Sequence, residues 1–416
     1  MSKQAAIDAI RKKLTGKKLT YSEIFSVMDE IANQRLGPVL TTYFAAAGFQ
    51  QGFSEDELYS LTKAMVETGK RLNFSGIVAD KHSTGGVAGT RTTMIIVPIV
   101  AAAGIKIPKN SSRAITSASG TADTMEVLSN VTFTVPQIQD IVERIGGCIV
   151  WGGHLGIAPA DDIIIQVEEP LAFESFDKII VSIMAKKVAS SASHLILDIP
   201  VGPSMKIKHF KDAGIIEDKF SKLAKRFGIK MTTDVNHTRE PAGRGVGPVL
   251  EVQDVFQILE QDKKRPLALE EKALRLAGRL LDICFSDMPD RKKDSGEAVA
   301  REMLESGAAL AKMREIIKAQ GGNPDVGCSS FTPGKYRLEV PGVEKGRIIK
   351  VNNQQINTLA RILGSPDDKK AGIYLMRRLE ERVDKGDVLF TLYSSNKWRL
   401  EEAKQTIAHV PVYGIE

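Results

Sequence analysis

The sequence contains little cysteine, few aromatic residues and no long apolar run, and each shortage excludes a class of protein. Its three cysteines form no Cys-x-x-Cys pair, which argues against a disulfide scaffold or a zinc site and favours a reducing, cytoplasmic location. Aromatic residues make up only 6% of the chain, so we expect no stacking platform for single-stranded nucleic acid. The longest apolar run, residues 94–105, is shorter than the roughly 20 residues that cross a bilayer.

Neither positive nor negative charge is in large excess. The 416 residues include 57 Lys and Arg against 51 Asp and Glu, and both signs are spread along the chain. A net charge of +6 distributed in this way does not indicate a nucleic-acid surface. The sequence lacks His-Glu-x-x-His, Gly-x-Ser-x-Gly, Walker A and Gly-x-Gly-x-x-Gly motifs, so zinc hydrolysis, serine hydrolysis and those nucleotide loops have no support.

The apolar pattern divides the chain into three parts. The N-terminal part is helical in pattern, with capping boxes that begin at Thr20 and Ser54. Short β-prone runs then alternate with helical windows, as is typical of a mostly parallel sheet. The C-terminal part is rich in short strands, with a hairpin predicted around residues 385–387. We therefore predict an α/β protein with three domains. The first is a small all-helical domain at 1–70, completed by about 163–193. The second is a large α/β domain with a mostly parallel sheet at 71–162 and 194–330, and the third is a C-terminal, β-rich α+β domain at 331–416.

The densest polar signal is the stretch DKHSTGGVAGT at residues 80–90, between a predicted strand and a predicted helix. A glycine-rich turn there brings backbone N–H groups close to an anion, and the helix dipole favours negative charge. Lys81, Ser83 and Thr84 supply further donors, and His82 titrates near neutral pH. The pattern predicts an anion site, with a glycine-rich turn carrying solvated polar residues as the alternative.

Two further clusters carry donors. Residues 109–123 combine six hydroxyl side chains with Arg113, a set suited to phosphate, although an ordinary polar loop with helix caps is equally compatible. Ser182 and Lys186 are four residues apart and share one helix face, so they could bind one ligand together. The alternative is that both side chains are simply solvated. The stretch GRGVGP at 243–248 is interpreted as a tight turn, with closure of the ligand pocket as the alternative.

Together these clusters resemble the thymidine and pyrimidine-nucleoside phosphorylase family, and most closely its AMP phosphorylase branch. The resemblance rests on five blocks in the family's order: DKHSTGG, SSRAITSASGTAD, WGGHLGIAPADD, SIMAKK and GRGVGPVLEV. It implies a helical domain and a phosphate-carrying α/β domain with the substrate in the cleft between them, a C-terminal α+β domain, and a homodimer. Members of the AMP branch usually carry an additional N-terminal domain, and we expect that this chain lacks it.

The resemblance also assigns residues, one by one. Phosphate is expected at Lys81, Ser83, Thr93, Ser111 and Thr121. The nucleotide is expected at Gly86, Ser112, Arg113, Ala114, Ile115, Thr116, Ser117, Thr121, Ser182, Lys186 and Lys206. His82 matches the histidine proposed to assist departure of the base, and Glu174 stands where the AMP branch has an aspartate proposed as proton donor. No metal and no organic cofactor is expected.

The implied reaction is phosphorolysis of a nucleoside 5′-monophosphate, giving free base and ribose 1,5-bisphosphate. The partners would be inorganic phosphate and a nucleoside or nucleoside monophosphate, without nucleic acid or membrane. Val167 replaces the arginine with which pyrimidine enzymes read the base, which argues against thymidine, whereas the sequence from Lys81 to Thr84 is the pyrimidine enzymes' version of the loop. A thymidine or pyrimidine-nucleoside phosphorylase, an anthranilate-type phosphoribosyltransferase and a non-catalytic nucleotide-binding protein remain alternatives.

Overall fold

A computed structural model describes residues 2–114, 117–168 and 175–416, apart from the side chain of His154. The chain begins with four helices, and the predicted capping boxes are found at Thr20 and Ser54, each with its reciprocal glutamate. The third helix starts at a proline, whose fixed φ suits the first helical position. The helices are α1 (Lys3–Leu14), α2 (Tyr21–Ala32), α3 (Pro38–Gln51) and α4 (Glu55–Glu67).

Two later helices pack on these four. They are α8 (Pro159–Glu168) and α9 (Phe176–Ala189), which contact α2, α3 and α4. Their buried apolar side chains, among them Ile164, Val181 and Ala185, join one core with Ile24 and Met28 of α2. Helices distant in sequence therefore form one helical layer, because each has an apolar face to remove from water.

The central sheet is parallel, as predicted. Strands β1 (Ala79–Ser83), β4 (His194–Val201) and β5 (Lys230–His237) pair in the order β1-β4-β5, and β2 (Ile107–Ser111) pairs with β3 (Gly147–Trp151). A parallel bridge between Val78 and Lys106 connects the two groups. The order β3-β2-β1-β4-β5 thus brings the carboxyl ends of β1, β2 and β4 to one edge, where α/β folds bind ligands.

Helix α5 (Thr93–Ala102) lies in the centre of the apolar core and contacts α12 (Leu267–Phe285) and α14 (Ala308–Ala319). All of its side chains are buried except that of Ala102, which explains its nearly continuous apolar sequence. The other helices of this region are α6 (Thr121–Met125), α7 (Val135–Ile145), α10 (Phe210–Arg226), α11 (Pro248–Leu259), α12 (Leu267–Phe285), α13 (Gly296–Glu305) and α14 (Ala308–Ala319).

The C-terminal part contains two antiparallel sheets. One has the order β6-β9-β11-β7, and the other has the order β10-β8-β12. The members are β6 (Gly245–Val246), β7 (Tyr336–Pro341), β8 (Gly346–Val351), β9 (Gly372–Leu375), β10 (Arg382–Val383), β11 (Val388–Ser394) and β12 (Tyr413–Ile415), with helices α15 (Asn353–Leu363) and α16 (Lys397–Thr406).

Two sequence predictions are wrong here. The strands on either side of residues 385–387 lie in different sheets, since β10 pairs with β8 whereas β11 pairs with β7 and β9. The stretch GRGVGP contains β6, which pairs with β9, so it is more than a turn. Both errors concern strands whose partners lie far away in sequence. The overall fold class is confirmed: a helical part, a parallel α/β part and a β-rich C-terminal part.

Candidate active site

The glycine-rich loop after β1 depends on a backbone conformation that favours glycine. Gly85 and Gly86 have φ angles of +87° and +88°. At Gly89, with φ of +55°, a Cβ would lie 2.5 Å from the carbonyl oxygen of Gly245, so a side chain there would push β6 away. Helix α5 begins at Thr93, directly after this loop. The predicted order of strand, glycine-rich loop and helix is therefore found.

Lys81 is a buried cation at the end of β1. It is 4% exposed, and burial lowers the pKa of its amine to about 8 against the opposing charge of Asp198. Asp198, on the neighbouring strand β4, accepts a hydrogen bond from Asn236 at 2.8 Å and lies 3.2 Å from Nζ of Lys272. Burial opposes ionisation of Asp198, but Lys272 and Lys81 outweigh it and lower its pKa. Two amines thus share one carboxylate, which leaves positive charge for an anion.

Three buried hydroxyl groups at the same edge have no hydrogen-bond partner within the described ranges. They belong to Thr84, Thr92 and Ser111. A buried hydroxyl without a partner is costly, so these three groups are available to hydrogen-bond a ligand oxygen. Ser111 is a predicted phosphate residue. Thr92 was missed, since the resemblance points to its neighbour Thr93, the 6%-exposed first residue of α5.

Arg91 is a second residue that the sequence did not reveal. Its guanidinium donates to Glu251 and to the carbonyl oxygen of Ser119, both at 2.6 Å, and approaches the hydroxyl of Thr121 at 3.5 Å. Thr124 also donates to Glu251, at 2.7 Å. Arg91 therefore connects the loop after β1 with the start of α6, where the predicted phosphate residue Thr121 lies. The ion pair spans 160 residues, which no local pattern reports.

His82 is half-buried and surrounded by cations. Burial, followed by the charges of Lys187 and Lys109, lowers the pKa of its imidazole well below the ordinary value. The neighbouring Asp80 accepts from Nζ of Lys187 at 2.6 Å and lies 3.3 Å from Nζ of Lys109. Lys187 is 1% exposed, and burial lowers its pKa to about 7. His82 is therefore neutral at pH 7 in the free protein, and a bound dianion would raise its pKa.

Arg113 is engaged by carboxylates. Its guanidinium donates two hydrogen bonds to Glu126, at 2.7 and 2.6 Å, and one to Asp123 at 3.0 Å, and it lies over the ring of Trp151. The hydrogen bonds from Arg113 lower the pKa of Glu126 to about 2. Asp123 also accepts from the backbone N–H groups of Ala114 and Gly120, at 2.7 and 2.9 Å. These contacts fix the path of the loop after β2.

Further hydrogen bonds within this loop and with the start of α6 hold the loop in place. The carbonyl oxygen of Ser112 accepts from the N–H of Ala122 at 3.2 Å, and the hydroxyl of Ser117 donates to the carbonyl of Ser119 at 2.7 Å. A Cβ on Gly120 would lie 2.4 to 2.6 Å from backbone atoms of residues 112–114, so the loop folds back closely on the start of α6. Ile115 and Thr116, two predicted nucleotide residues, lie outside the described residues, as does Glu174.

The predicted pair on α9 shares one acceptor. The hydroxyl of Ser182 donates to Oδ2 of Asp161 at 2.7 Å, and Nζ of Lys186 lies 2.8 Å from the same oxygen. Asp161 is 0% exposed, and Asp162 lies 3.9 Å from Nζ of Lys186. Burial would lower the pKa of Lys186, but Asp161 and Asp162 outweigh it and raise the pKa. Asp161 belongs to the block WGGHLGIAPADD, but only the structure shows that it is the shared acceptor of Ser182 and Lys186.

Lys206 lies between the two regions. A Cβ on Gly86 would be 3.4 Å from its Cγ, so the loop after β4 touches the glycine-rich loop. Lys178 of α9 pairs with Glu168, and burial lowers the pKa of Lys178 to about 8, with a further lowering from Lys206. The structure therefore brings together the loops after β1 and β4 and the polar face of α9.

Two features that would indicate other partners are missing from the described part of the chain. Among the described residues, no three His, Cys, Asp or Glu side chains are grouped as metal ligands. No helix in the described ranges has the length and apolarity needed to cross a membrane.

Comparison with family models matches three successive parts of the chain. The helical bundle domain of the glycosyl transferase family matches residues 7–69, and its a/b domain matches residues 75–310. The chain belongs to this glycosyl transferase family. A third model, the pyrimidine nucleoside phosphorylase C-terminal domain, matches residues 348–413. The predicted family and its enzyme class are confirmed.

Curated members of the glycosyl transferase family align with nearly the whole chain. AMP phosphorylase 1 of Archaeoglobus fulgidus is 41% identical over 96% of this chain and 78% of its own length. AMP phosphorylase of Methanocaldococcus jannaschii is 40% identical over 96% and 79%. A protein of Methylococcus capsulatus, provisionally named a thymidine phosphorylase, is 41% identical over 96% and 76%.

Among solved structures, anthranilate phosphoribosyltransferase from Thermus thermophilus has a similar fold. The TM-score is 0.62 with 18% sequence identity, covering 75% of this chain and 99% of that structure. At this identity the similarity concerns the fold alone.

Proposed function

We propose that the protein catalyses phosphorolysis of the N-glycosidic bond of a nucleoside 5′-monophosphate, giving the free base and ribose 1,5-bisphosphate. The observation that carries the proposal is the pair of regions described above. One has buried cations and hydroxyls without a partner among the described residues, at the ends of β1 and β2, and the other is the polar face of α9. AMP phosphorylases among the relatives, about 40% identical over 96% of the chain, support it.

In this reaction inorganic phosphate attacks C1′ of the ribose while the bond to the base breaks. The first region would hold phosphate through Lys81, Ser83, Thr93, Ser111 and Thr121, with Thr84 and Thr92 as additional hydroxyl donors. Positive charge develops on the sugar, so a phosphate dianion fixed beside it stabilises the transition state. Holding the two reactants in one cleft supplies a further positioning effect.

The base would be held by Ser182 and Lys186 on α9, with Lys206 beside them, and the loop of residues 112–117 would hold the rest of the nucleotide. A departing base requires a proton, for which Glu174 and His82 are the candidates. Binding of phosphate next to His82 raises the affinity of the imidazole for a proton, which couples proton delivery to phosphate binding. This chemistry needs no metal.

A pyrimidine-nucleoside phosphorylase is the second candidate. It is favoured by the sequence from Lys81 to Thr84 and by relatives named thymidine phosphorylase. It is disfavoured by Val167, which offers no hydrogen-bond donor where the pyrimidine enzymes have an arginine.

We further propose a cytoplasmic homodimer. The location is supported by three cysteines that are all unpaired, Cys148, Cys284 and Cys328. The dimer is supported by α3, which exposes the apolar side chains of Val39, Tyr43 and Phe49 to solvent.

The test is a comparison of initial rates with phosphate for AMP, CMP, UMP, uridine and thymidine. Release of base from a monophosphate, with slower turnover of the nucleosides, is the expected result. Preference for thymidine would select the second candidate, and strict dependence on magnesium and pyrophosphate would select a phosphoribosyltransferase. Absence of turnover with phosphate and with arsenate would overturn the assignment.

A further inference from the structure

The C-terminal domain reaches both ligand loops through one face of α15. Asn353 and Asn357 are four residues apart and therefore lie on the same side of the helix. Both are buried, with Asn353 1% exposed. Neither residue belongs to the motifs that identify the phosphate or nucleotide loops.

Asn353 holds the glycine-rich loop. Its carboxamide nitrogen donates to the carbonyl oxygen of Gly86 at 2.5 Å, and its oxygen accepts from the N–H of Ala88 at 2.8 Å. The same nitrogen lies 3.4 Å from the carbonyl oxygen of Ser204, two residues before Lys206. Because a peptide unit is planar and trans, fixing the carbonyl of Gly86 also fixes the opposite direction of the next N–H group. A single carboxamide thus sets the backbone of two loops.

Asn357 holds the other loop. Its carboxamide oxygen accepts from the N–H of Ala118 at 2.9 Å, and the hydroxyl of Ser365 donates to the carbonyl oxygen of Ala118 at 2.8 Å. Both backbone groups of Ala118 are therefore bonded to the C-terminal domain.

Apolar packing reinforces these bonds. Ala88 and Ala118, one from each loop, are buried in the same core as Ile356 and Ala360 of α15. Each loop thus contributes one alanine to the C-terminal core, and it is the same alanine whose backbone N–H donates to the asparagine. The carboxamide of Asn353 has hydrogen-bond partners at both its oxygen and its nitrogen, which favours a single orientation of the side chain and of the loop that it holds.

We infer that Asn353 and Asn357 are positioning residues, through which the C-terminal domain fixes the phosphate loop and the nucleotide loop relative to each other. The inference rests on the proposed function for the identity of the ligands. The hydrogen bonds that carry it do not depend on that identity.

The experiment compares Asn353→Ala and Asn357→Ala with Asn352→Ala in the full chain. Asn352 is a matched control, because its side chain caps α15 by accepting from the N–H of Gln355 and makes no hydrogen bond to the described residues of either loop. Hydrogen exchange without ligand is measured for peptides covering residues 84–90 and 117–122. The Tm and the KM values for phosphate and AMP are measured for every variant.

We expect Asn353→Ala to accelerate exchange in the first loop and to raise the phosphate KM about tenfold or more. Asn357→Ala should accelerate exchange in the second loop and raise mainly the AMP KM. Asn352→Ala should lower the Tm and leave the ratio of the two KM values unchanged. If Asn353→Ala does not fold, Asn353→Ser, which keeps one hydrogen-bonding group, replaces it.

The inference is overturned if all three variants lower the Tm by similar amounts while the exchange rates of both loops and both KM values stay within about twofold of the unsubstituted chain. That result would indicate a purely structural role for the two asparagines. Failure of the unsubstituted chain to use AMP or any nucleoside would overturn the proposed function instead. In that case the exchange rates of the two loops still decide the inference.

Discussion

The two ends of the candidate site differ in how far their polar groups are satisfied. At the ends of β1 and β2, the hydroxyls of Thr84, Thr92 and Ser111 have no partner within the described residues. On α9, by contrast, Ser182 and Lys186 already share Asp161. A ligand at the first end adds hydrogen bonds, whereas a ligand at the second end must share or replace existing ones.

The charge balance differs in the same way. Near β1, burial lowers the pKa values of Lys81 and Lys187 to about 8 and about 7, and neighbouring cations lower both further. Next to α8, two carboxylates raise the pKa of Lys186. These differences support our proposal that the first end binds the phosphate dianion and that the second holds hydrogen-bond donors in place for a neutral base. The following predictions test this difference, beginning with the largest effect.

Removing the buried cation at the first end should have the largest effect on activity. Lys81→Ala should lower kcat/KM for phosphate about 1000-fold, because a preorganised charge next to the dianion is lost. The measurement is initial rates with varied phosphate at saturating AMP. Lys211→Ala, which removes an exposed lysine of α10, serves as the control and should leave the rate unchanged. An unaltered phosphate KM in Lys81→Ala would show that phosphate binds elsewhere.

Removing the carboxylate beneath the first end should mainly affect stability. Asp80→Asn leaves the buried amines of Lys187 and Lys109 without their counter-ion, so the free energy of unfolding should fall by about 3 kcal/mol. Denaturant unfolding at pH 7 measures this. The matched control is Asp384→Asn, whose partner Lys345 is 81% exposed, and it should change stability hardly at all. Equal effects of the two substitutions would contradict a special role for the buried pair.

At the second end, Asp161→Asn should affect the nucleotide and spare phosphate. The amide is a weaker acceptor for Ser182 and Lys186, so kcat/KM for AMP should fall about tenfold while the phosphate KM stays the same. Asp162→Asn, whose carboxylate is 3.9 Å from Lys186, is the control and should have a smaller effect. A rise in the phosphate KM alone would reverse the assignment of the two ends.

The smallest effect concerns pH. Lys81 is protonated below its lowered pKa of about 8 and loses its charge as the pH rises through that value. Therefore kcat/KM for phosphate should fall roughly eightfold between about pH 7.5 and about 9 in the free enzyme. Lys81→Arg should move this decline to higher pH, since arginine keeps its charge. An identical pH profile in the arginine variant would assign the decline to another group.

Local features of the fold were predictable because nearby residues determine them. The capping boxes at Thr20 and Ser54, the glycine-rich loop after β1 and the alternation of strands and helices all depend on spacing within a few residues. The hairpin around residues 385–387 was predicted wrongly for a related reason. Its two strands have suitable local sequences, but β7, β8 and β9 offer them partners in separate sheets.

The same distinction between local and long-range features applies to the candidate site. The blocks that contain Lys81, Ser111 and Ser182 were found in the sequence, since each is a short motif. The contacts that hold those blocks together were not: Arg91 with Glu251, Asp80 with Lys187, and Asn353 with Gly86. Each of these pairs joins residues more than 100 positions apart, and no periodicity or spacing reports such a contact.

By itself, the sequence determined the family, the fold class and the residue types from which the site is made. Only the tertiary structure decided which of these residues are buried together, which pKa values shift and which hydroxyls have no partner in the part of the chain that the structure describes. The physical reason is that motifs and helix caps are local, whereas burial and charge neutralisation depend on every element packed around a group.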